Sequence, residues 1–393
     1  MTLTDTSSLT TADWLARVAE VADLVDADAD AGNEAGTSTQ AVVDALFDNG
    51  LMTIALPAAV GGGEADLVTL VEVFEALSAA DPSAGWSHMA ATTASAFCGA
   101  FMSEHEVEAM FADGRTVTAG QFAPRGTFTE VEGGYRVDGE YSFASGSGHA
   151  GYITAGGMVL RDGEMVLKDD GMPEMRVAAI PRADVELNGN WHVMGLKGTQ
   201  SQDYAVRDQF VPAGRTFELF DESPLRGGPQ FTVGVMPITS AGHAGWALGV
   251  ARRALDEIAA LAQIKQRMGA ETVLARQQLF QKEYAEQRAA FAASRAYVVE
   301  AFGAIQEAAE SGTAEMSHKA DVRVATTYAT RVAADVVQWS YRLGGADALR
   351  DGHPLQRCMR DIHAGTQHIF VDDSTYINAS QVWLGVAEGF VFL

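Results

Sequence analysis

The chain has 393 residues, 47% of them hydrophobic, and a formal net charge of −25. That length permits a large buried core, and the acidity disfavours binding to nucleic-acid phosphates and anionic membranes. The two cysteines lie far apart, so neither a disulfide framework nor a cysteine zinc site is indicated. The sequence lacks a secretory signal pattern and an apolar run of roughly 18 residues, which a membrane span needs. We therefore expect a cytoplasmic protein without nucleic-acid or membrane partners.

Residues 1–115 are predicted to form an N-terminal helical domain. Apolar residues recur there at helical spacing, as at Leu15, Val18 and Val21. The segment 56–63 contains a proline and three glycines, which exclude a continuing helix. The sequence predicts a loop at this point, followed by a further helix from about residue 66.

Residues 116–215 are predicted to form a middle β-domain. Short β-prone runs alternate with Gly, Asp and Asn, and the predicted strands include 128–131, 135–137, 152–155 and 204–210. Gly133 and Gly134 separate two of these runs. Because glycine reaches positive φ without a Cβ clash, this pair predicts a hairpin turn.

Residues 216–393 are predicted to form a C-terminal helical bundle. Alanine-rich helical patterns cover 244–268, 272–311, 316–343 and 356–383. Several exceed the mean helix length about twofold, which favours a four-helix bundle. The predicted fold is therefore α+β and mainly α, with helices, a β-domain and a bundle in that order.

This order of segments, together with five groups of motifs, resembles the acyl-CoA dehydrogenase superfamily. The motifs are LPAAVGG with LSAADPSA (56–62 and 77–84), GGYRVDGEYSFASG (133–146), MGLKGTQSQDYAVRDQFVP (194–212), LGVARRALDEI (248–258) and LGGADALRDGHPLQRCMRDIHAGTQHI (343–369). The resemblance implies a β-barrel-like middle domain and a flavin between this domain and the bundle. It also implies a homotetramer in which a neighbouring subunit completes the cofactor site. No GxGxxG follows a strand pattern, so the chain is not predicted to bind a nicotinamide cofactor in a Rossmann module.

The glutamate that serves as base in many acyl-CoA dehydrogenases has no counterpart at the expected position. In those enzymes it belongs to a Tyr-Glu-Gly-Thr sequence, whereas the comparable stretch here has Ala364 before Gly365 and Thr366. Alanine cannot accept a proton. Some dehydrogenases carry the base on another helix, and Glu257 is a candidate, so a dehydrogenase with a relocated base remains the alternative function.

The sequence RDIHAGTQH (360–368) resembles instead the flavin monooxygenases of this fold, which include the oxygenase components of phenol hydroxylases, dibenzothiophene monooxygenase and amino-sugar N-oxygenases. The resemblance implies that His368 lies beside the flavin and Ser145 at its N5. It places Trp86 and His88 on the substrate side. Reduced FMN, with FAD as the alternative, would come from a separate NAD(P)H-flavin reductase. Its reaction with O₂ gives a C4a-hydroperoxide, which would hydroxylate a small, commonly aromatic, substrate.

Further cofactor contacts follow from the same resemblance. Phe122 is expected to pack against the flavin ring, and Gly146 to lie beside it after Ser145. Gly344 and Gly345 are, on local physics, a helix stop. In the family this turn approaches the flavin phosphates of a neighbouring subunit.

Arg276 and Phe280 resemble the Arg-x-x-Phe-Gly cofactor contact of the dehydrogenases. The glycine is replaced here by Gln281, and the spacing differs by one residue. This departure favours the shorter FMN over FAD.

Each candidate residue also has a purely structural interpretation. Ser145 has the features of a turn hydroxyl, and His88 those of a residue packed in a helix. His363 and His368 are five residues apart, about 140° around a helix, so they do not converge on one metal ion. The sequence also lacks HExxH, and no metal site is predicted. A flavin-free structural relative of the fold is a third functional class.

Overall fold

The computed structural model describes residue 6, residues 9–389 and residues 391–393. Five helices come first. They are α1 (Thr11–Ala35), α2 (Gln40–Asp48), α3 (Leu67–Ala80), α4 (Pro82–Phe101) and α5 (Glu104–Phe111). The predicted loop before α3 is confirmed, since Gly61 there has a φ of 85°. The start of α4 is sharply defined because the Asp81 side chain accepts the N–H of Ala84 at 2.8 Å and Pro82 occupies the first turn.

The middle segment forms one mixed sheet. Its strands are β1 (Thr118–Val131), β2 (Gly134–Tyr141), β3 (Tyr152–Arg161), β4 (Glu164–Met165), β5 (Met175–Pro181), β6 (Glu186–Leu187), β7 (Tyr204–Pro212) and β8 (Thr216–Glu218). The order is β6-β7-β2-β1-β3-β5-β8, with β4 paired to β3. β1 and β3 are parallel, whereas β1 and β2 form the predicted hairpin, in which Gly133 has a φ of 81°. All four predicted strand segments are confirmed.

The C-terminal segment contains α6 (Val235–Ile264), α7 (Gln278–Glu310), α8 (Met316–Gly344), α9 (Pro354–Gly365) and α10 (Ser374–Trp383). The first three predicted helices are confirmed, although α6 begins nine residues earlier and α7 six residues later than expected. The predicted continuous helix 356–383 is wrong. Helix α9 ends at Gly365, a 3-10 turn covers Ile369–Val371, and α10 begins at Ser374.

Local side-chain hydrogen bonds explain this break. The ring Nδ1 of His368 accepts the backbone N–H of Phe370 at 3.3 Å, and the carboxylate of Asp372 accepts the N–H of Ser374 at 2.7 Å. Such bonds offer the backbone an alternative to the helical ladder. His368 therefore lies in an irregular turn, where its ring can leave the helix surface.

The N-terminal helices and the bundle share one hydrophobic core, while the sheet has its own. Helices α3 and α6 approach closely because α6 carries glycines at the contact. A Cβ on Gly245 would lie 2.4 Å from the Val71 carbonyl oxygen, and one on Gly249 would lie 2.3 Å from that of Glu75. Helix α4 packs between α3, α6, α9 and β1. Its first turns are therefore the point where all three segments meet.

The overall architecture confirms the predicted fold class. The domain limits at 115/116 and 215/216 stay predictions, and the sheet itself runs to Glu218. Within the described part of the chain, no helix is both long enough and apolar enough to span a membrane.

Candidate active site

Trp86, near the start of α4, is the centre of a cluster drawn from all three segments. Its indole Nε1 donates to the Ser145 Oγ at 3.0 Å. The ring also makes edge contacts, with centroids 4.8 Å from Trp246, 5.5 Å from His243 and 5.6 Å from His368. One buried side chain thus connects the sheet, α6 and the turn after α9.

Ser145 lies on the turn that follows β2. Its Oγ is 2.8 Å from the Ser201 Oγ, in addition to the bond from Trp86. The turn is defined by two left-handed residues, Phe143 with a φ of 68° and Gly146 with a φ of 81°. The N–H of Gly146 donates to the Thr199 carbonyl at 2.8 Å. The Ser145 hydroxyl is therefore held in a fixed position by contacts on two sides.

His368 is a neutral hydrogen-bond donor in this arrangement. Because its Nδ1 accepts the N–H of Phe370, the ring proton is assigned to Nε2. Burial lowers the pKa of His368 to about 4, and the positive charge of Arg323 contributes to this shift. Its ring packs on Phe370 with centroids 4.7 Å apart. At neutral pH the imidazole is uncharged and presents Nε2–H.

Sequence reasoning did not identify His243, which belongs to the same cluster. Only 1% of this residue is exposed, and neither ring nitrogen has a hydrogen-bond partner among the residues the structure describes. Its ring centroid lies 5.4 Å from that of His368 and 5.5 Å from that of Trp246. Burial lowers its pKa well below the ordinary value. The available signal was the His-x-x-Trp pair, 243 and 246, in an otherwise alanine- and glycine-rich stretch.

Arg323 places a positive charge behind this cluster. Its guanidinium donates to the Phe370 carbonyl at 2.9 Å and to the Thr375 hydroxyl at 3.2 Å, and it lies 5.1 Å from the Phe370 ring centroid. Burial lowers its pKa to about 10, and no carboxylate offsets this within the described residues. This charge disfavours protonation of His243 and His368.

His88 is not brought together with these groups. It lies two positions after Trp86, about 200° around the helix, so the two side chains face opposite ways. The His88 Nε2 is 2.8 Å from the Leu51 carbonyl oxygen, and its ring packs edge-on against Phe74 at 5.4 Å. The geometry is that of a buried helix residue, and the contact with substrate stays a prediction.

Phe122 lies in an aromatic group at the bulged part of β1. Its ring centroid is 5.8 Å from that of Phe97 and 5.6 Å from that of Phe217. The pairing of β1 with β3 changes register between Gln121 and Gly126, which bends the strand here. The expected packing of Phe122 against a flavin ring stays a prediction.

The remaining cofactor candidates lie at the far ends of the bundle helices. Arg276 is exposed just before α7, and Phe280 stacks on Trp339 at 5.7 Å. Helix α8 ends at Gly344, and the next residue, Gly345, has a φ of 57°, so the helix stop is confirmed. The predicted contacts of Arg276 and Phe280 with the cofactor, and of the Gly344-Gly345 turn with the cofactor of a neighbouring subunit, stay predictions.

Two family models match the chain. They are "Acyl-CoA dehydrogenase, N-terminal domain" over residues 13–105 and "Acyl-CoA dehydrogenase, C-terminal domain" over residues 241–373. The crystal structure of the HsaA monooxygenase from M. tuberculosis has a TM-score of 0.88 at 23% identity, over 97% of this chain and 99% of that chain. The chain belongs to the acyl-CoA dehydrogenase family, and this confirms the resemblance seen in the sequence.

Two curated relatives narrow the class. An indole-3-acetate monooxygenase from Pseudomonas putida is 31% identical over 353 residues, which cover 88% of this chain and 86% of the relative. A flavin-dependent monooxygenase, oxygenase subunit HsaA, from Rhodococcus jostii is 28% identical over 355 residues, or 82% of this chain and 85% of the relative. Within the family, the chain is a flavin-dependent monooxygenase and thus an oxidoreductase.

The residues around Ser145 fit a flavin. Phe143, two positions earlier on the same turn, exposes 62% of its surface although its φ is strained, and its ring lies 6.3 Å from that of Trp191. A cavity of about 530 Å³ adjoins this turn and is lined partly by Trp191, Lys197 and Gln200. An exposed aromatic face next to a fixed hydroxyl suits a flat ring system with polar edges.

Proposed function

We propose that this protein is the oxygenase component of a two-component monooxygenase. It would use reduced FMN or FAD and O₂ to hydroxylate a small aromatic substrate. One oxygen atom enters the substrate, the other leaves as water, and the two electrons come from the reduced flavin. The observation that carries the proposal is the cluster of Trp86, Ser145 and His368, which offers neutral donors in an aromatic enclosure. The position that holds the catalytic glutamate in many dehydrogenases is Ala364 here.

The protein residues have distinct tasks in this proposal. Bound flavin supplies the electrons that activate O₂. The hydroxyl of Ser145 holds the flavin edge, and Nε2–H of His368 donates to oxygen or to the substrate. Trp86 and Phe370 exclude water, which otherwise favours loss of the activated oxygen as peroxide. The low pKa of His368 and the engagement of its Nδ1 favour this donor role over acceptance of the substrate proton.

A separate reductase is part of the proposal. The relative from Rhodococcus jostii is named an oxygenase subunit, which supports a partner that delivers reduced flavin. The chain itself offers no dinucleotide fingerprint after a strand.

The acyl-CoA dehydrogenase alternative is less well supported. Its candidate base, Glu257, is 2.8 Å from the Arg253 guanidinium, one turn away on α6. This ion pair within α6 already occupies the carboxylate. The relatives' names likewise favour oxygenation.

The test is a single turnover with FMN or FAD reduced anaerobically and then mixed with isotope-labelled O₂ and simple phenols or indoles. We expect labelled oxygen in a hydroxylated product, detected by mass spectrometry. A protein that retains oxidised flavin, is bleached by an acyl-CoA and incorporates no label would refute the proposal and establish the dehydrogenase.

A further inference from the structure

His243 is a buried polar residue whose hydrogen-bonding capacity is unused. Both its ring nitrogens lack a partner within the described chain, and one turn earlier on α6 the buried hydroxyl oxygen of Ser240 also lacks one. Buried polar groups are normally hydrogen-bonded, because removal from water is otherwise uncompensated. The two groups are three residues apart on one helix face, and His243 also packs against Trp86 and His368. This arrangement points to a polar ligand atom at His243.

Three of the four other ring nitrogens of the cluster already have hydrogen-bond partners. Nε1 of Trp86 donates to Ser145, and Nε1 of Trp246 donates to the Pro82 carbonyl at 2.9 Å. His368 uses Nδ1 as an acceptor and retains only a donor at Nε2. Among these four rings, His243 alone combines a free acceptor with a free donor.

The charge state of His243 suits acceptance from a neutral group. Its burial, the nearby His368 ring and the charge of Arg323 disfavour the imidazolium form, so the ring is neutral at pH 7. A neutral imidazole accepts through one nitrogen and donates through the other. The surrounding rings of Trp86, Trp246 and Phe370 are apolar, and suit an aromatic ligand.

We propose that His243 contacts the substrate and accepts a hydrogen bond from a neutral O–H or N–H group on its aromatic ring. This inference rests on the proposed function and specifies its substrate class. The enzyme would favour phenols and indoles over analogues in which that hydrogen is replaced by methyl. A site built for such a bond rejects a ligand that lacks the hydrogen, since the protein acceptor is left unpaired.

Equilibrium binding of two matched pairs tests the inference without flavin turnover. The pairs are indole with N-methylindole and phenol with anisole, measured by calorimetry. We expect the native protein to bind at least one parent compound roughly 10-fold more tightly than its methylated analogue, a difference of about 1.4 kcal/mol. The variant His243→Phe keeps an aromatic ring but removes the acceptor, and should bring that ratio close to one.

Two further variants separate recognition from folding. His243→Asn retains an acceptor and should keep part of the preference, while His105→Gln, an exposed histidine on α5, should keep all of it. Circular dichroism and thermal melting check that each variant is folded.

The inference fails if a folded His243→Phe protein still binds the parent compound about tenfold more tightly than the methylated one. It also fails if the native protein binds parent and methylated compounds equally, or binds none of the four compounds. If His243→Phe does not fold, the binding ratios of the native and His243→Asn proteins test the inference instead. Equal binding of the parent and methylated compounds by the native protein then overturns it. Incorporation of labelled oxygen into any aromatic substrate by the native protein is a separate readout. Such incorporation without a His243-dependent ratio would leave the proposed function intact and remove only this inference.

Discussion

His368 differs from a typical active-site histidine because its environment stabilises the neutral form. Burial and Arg323 lower its pKa to about 4, and the backbone of Phe370 occupies its Nδ1. The residue is therefore poorly suited to take protons at pH 7 and well suited to donate from Nε2. A preorganised donor in a dry site acts on developing charge without reorganisation.

Substitution of His368 should change the fate of oxygen more than flavin binding. In His368→Ala, the product formed per reduced flavin should fall by at least about tenfold, and peroxide should rise in compensation, because no donor replaces Nε2–H. Product is measured by chromatography and peroxide by a coupled assay.

His368→Gln retains an N–H donor and serves as the matched control. It should recover part of the coupling that His368→Ala loses. Equal product yields in the native protein and His368→Ala would remove this residue from the reaction.

The sequence singled out Trp86, Ser145 and His368 but not His243, which packs against two of them. Trp86, Ser145 and His368 lie in motifs with family precedent, and the structure brings them together. His243 belongs to none of the family motifs, and its only sequence signal, the spacing to Trp246, also occurs among ordinary core residues. His88 and Trp86 point to opposite sides of α4, because they are two positions apart on one helix. The motif alone did not show which of the two faces the cluster.

At the scale of elements, the close contact of α3 with α6 positions the helix that carries His243. Gly245 makes this contact possible, since its missing Cβ leaves room for the Val71 carbonyl. The α6 glycines do not serve flexibility, because they lie in a continuous helix. They set the distance between two layers of the core.

Gly245→Ala should therefore destabilise the protein although alanine favours helices. A Cβ 2.4 Å from a backbone oxygen forces the helices apart, and such overpacking typically costs about 1–3 kcal/mol. The free energy of unfolding is measured by urea titration.

Gly303→Ala is the control for this effect. It lies inside α7, where a new Cβ would meet only the Val68 side chain at 3.9 Å. This variant should gain up to about 1 kcal/mol from helix propensity. Similar changes in the two variants would show that the α3–α6 contact does not depend on Gly245.

Periodicity predicted the long helices and the main strands, because those segments bury a continuous face or alternate regularly. The prediction failed at 356–383. The apolar pattern continues across Gly365 there, but the helix ends at that residue. The helix is broken by local hydrogen bonds of His368 and Asp372. The spacing of apolar residues does not depend on these bonds and therefore cannot predict them. Tertiary packing of Phe370 against Arg323 adds to the break.

At the scale of the whole molecule, several buried ionisable groups affect stability in acid in opposite senses. Burial lowers the pKa of His88 to about 4. As the pH falls below 6.5, His88 is therefore protonated in the unfolded chain but not in the folded one, which destabilises the folded state. Burial raises the pKa of Asp81 to about 6 and that of Asp361 to about 7, so these carboxyls favour the folded state in acid. Their stabilisation is lost as pH rises through those values.

Replacing His88 by glutamine should isolate one of these contributions. Glutamine can still donate to the Leu51 carbonyl but does not titrate. Between pH 7 and pH 5 the native protein should lose about 2 kcal/mol of unfolding free energy relative to His88→Gln. The difference should be constant from pH 7 to pH 9.

Urea titrations of both proteins across this pH range provide the measurement. Parallel curves from pH 5 to pH 9 would mean that His88 ionises equally in the folded and unfolded states, contrary to its buried position.

The meeting of three segments at Trp86 has a consequence for the order in which the protein becomes active. Trp86, Ser145, His243 and His368 are widely separated along the chain, and contacts of such long range form late in folding because large loops must close first. A growing chain on the ribosome can therefore complete this cluster only late, after most of its residues have been made. Until the segment around His368 has been synthesised and has docked on α4, the Nε2–H donor is missing from the cluster, and a chain shorter than this segment cannot carry the proposed reaction.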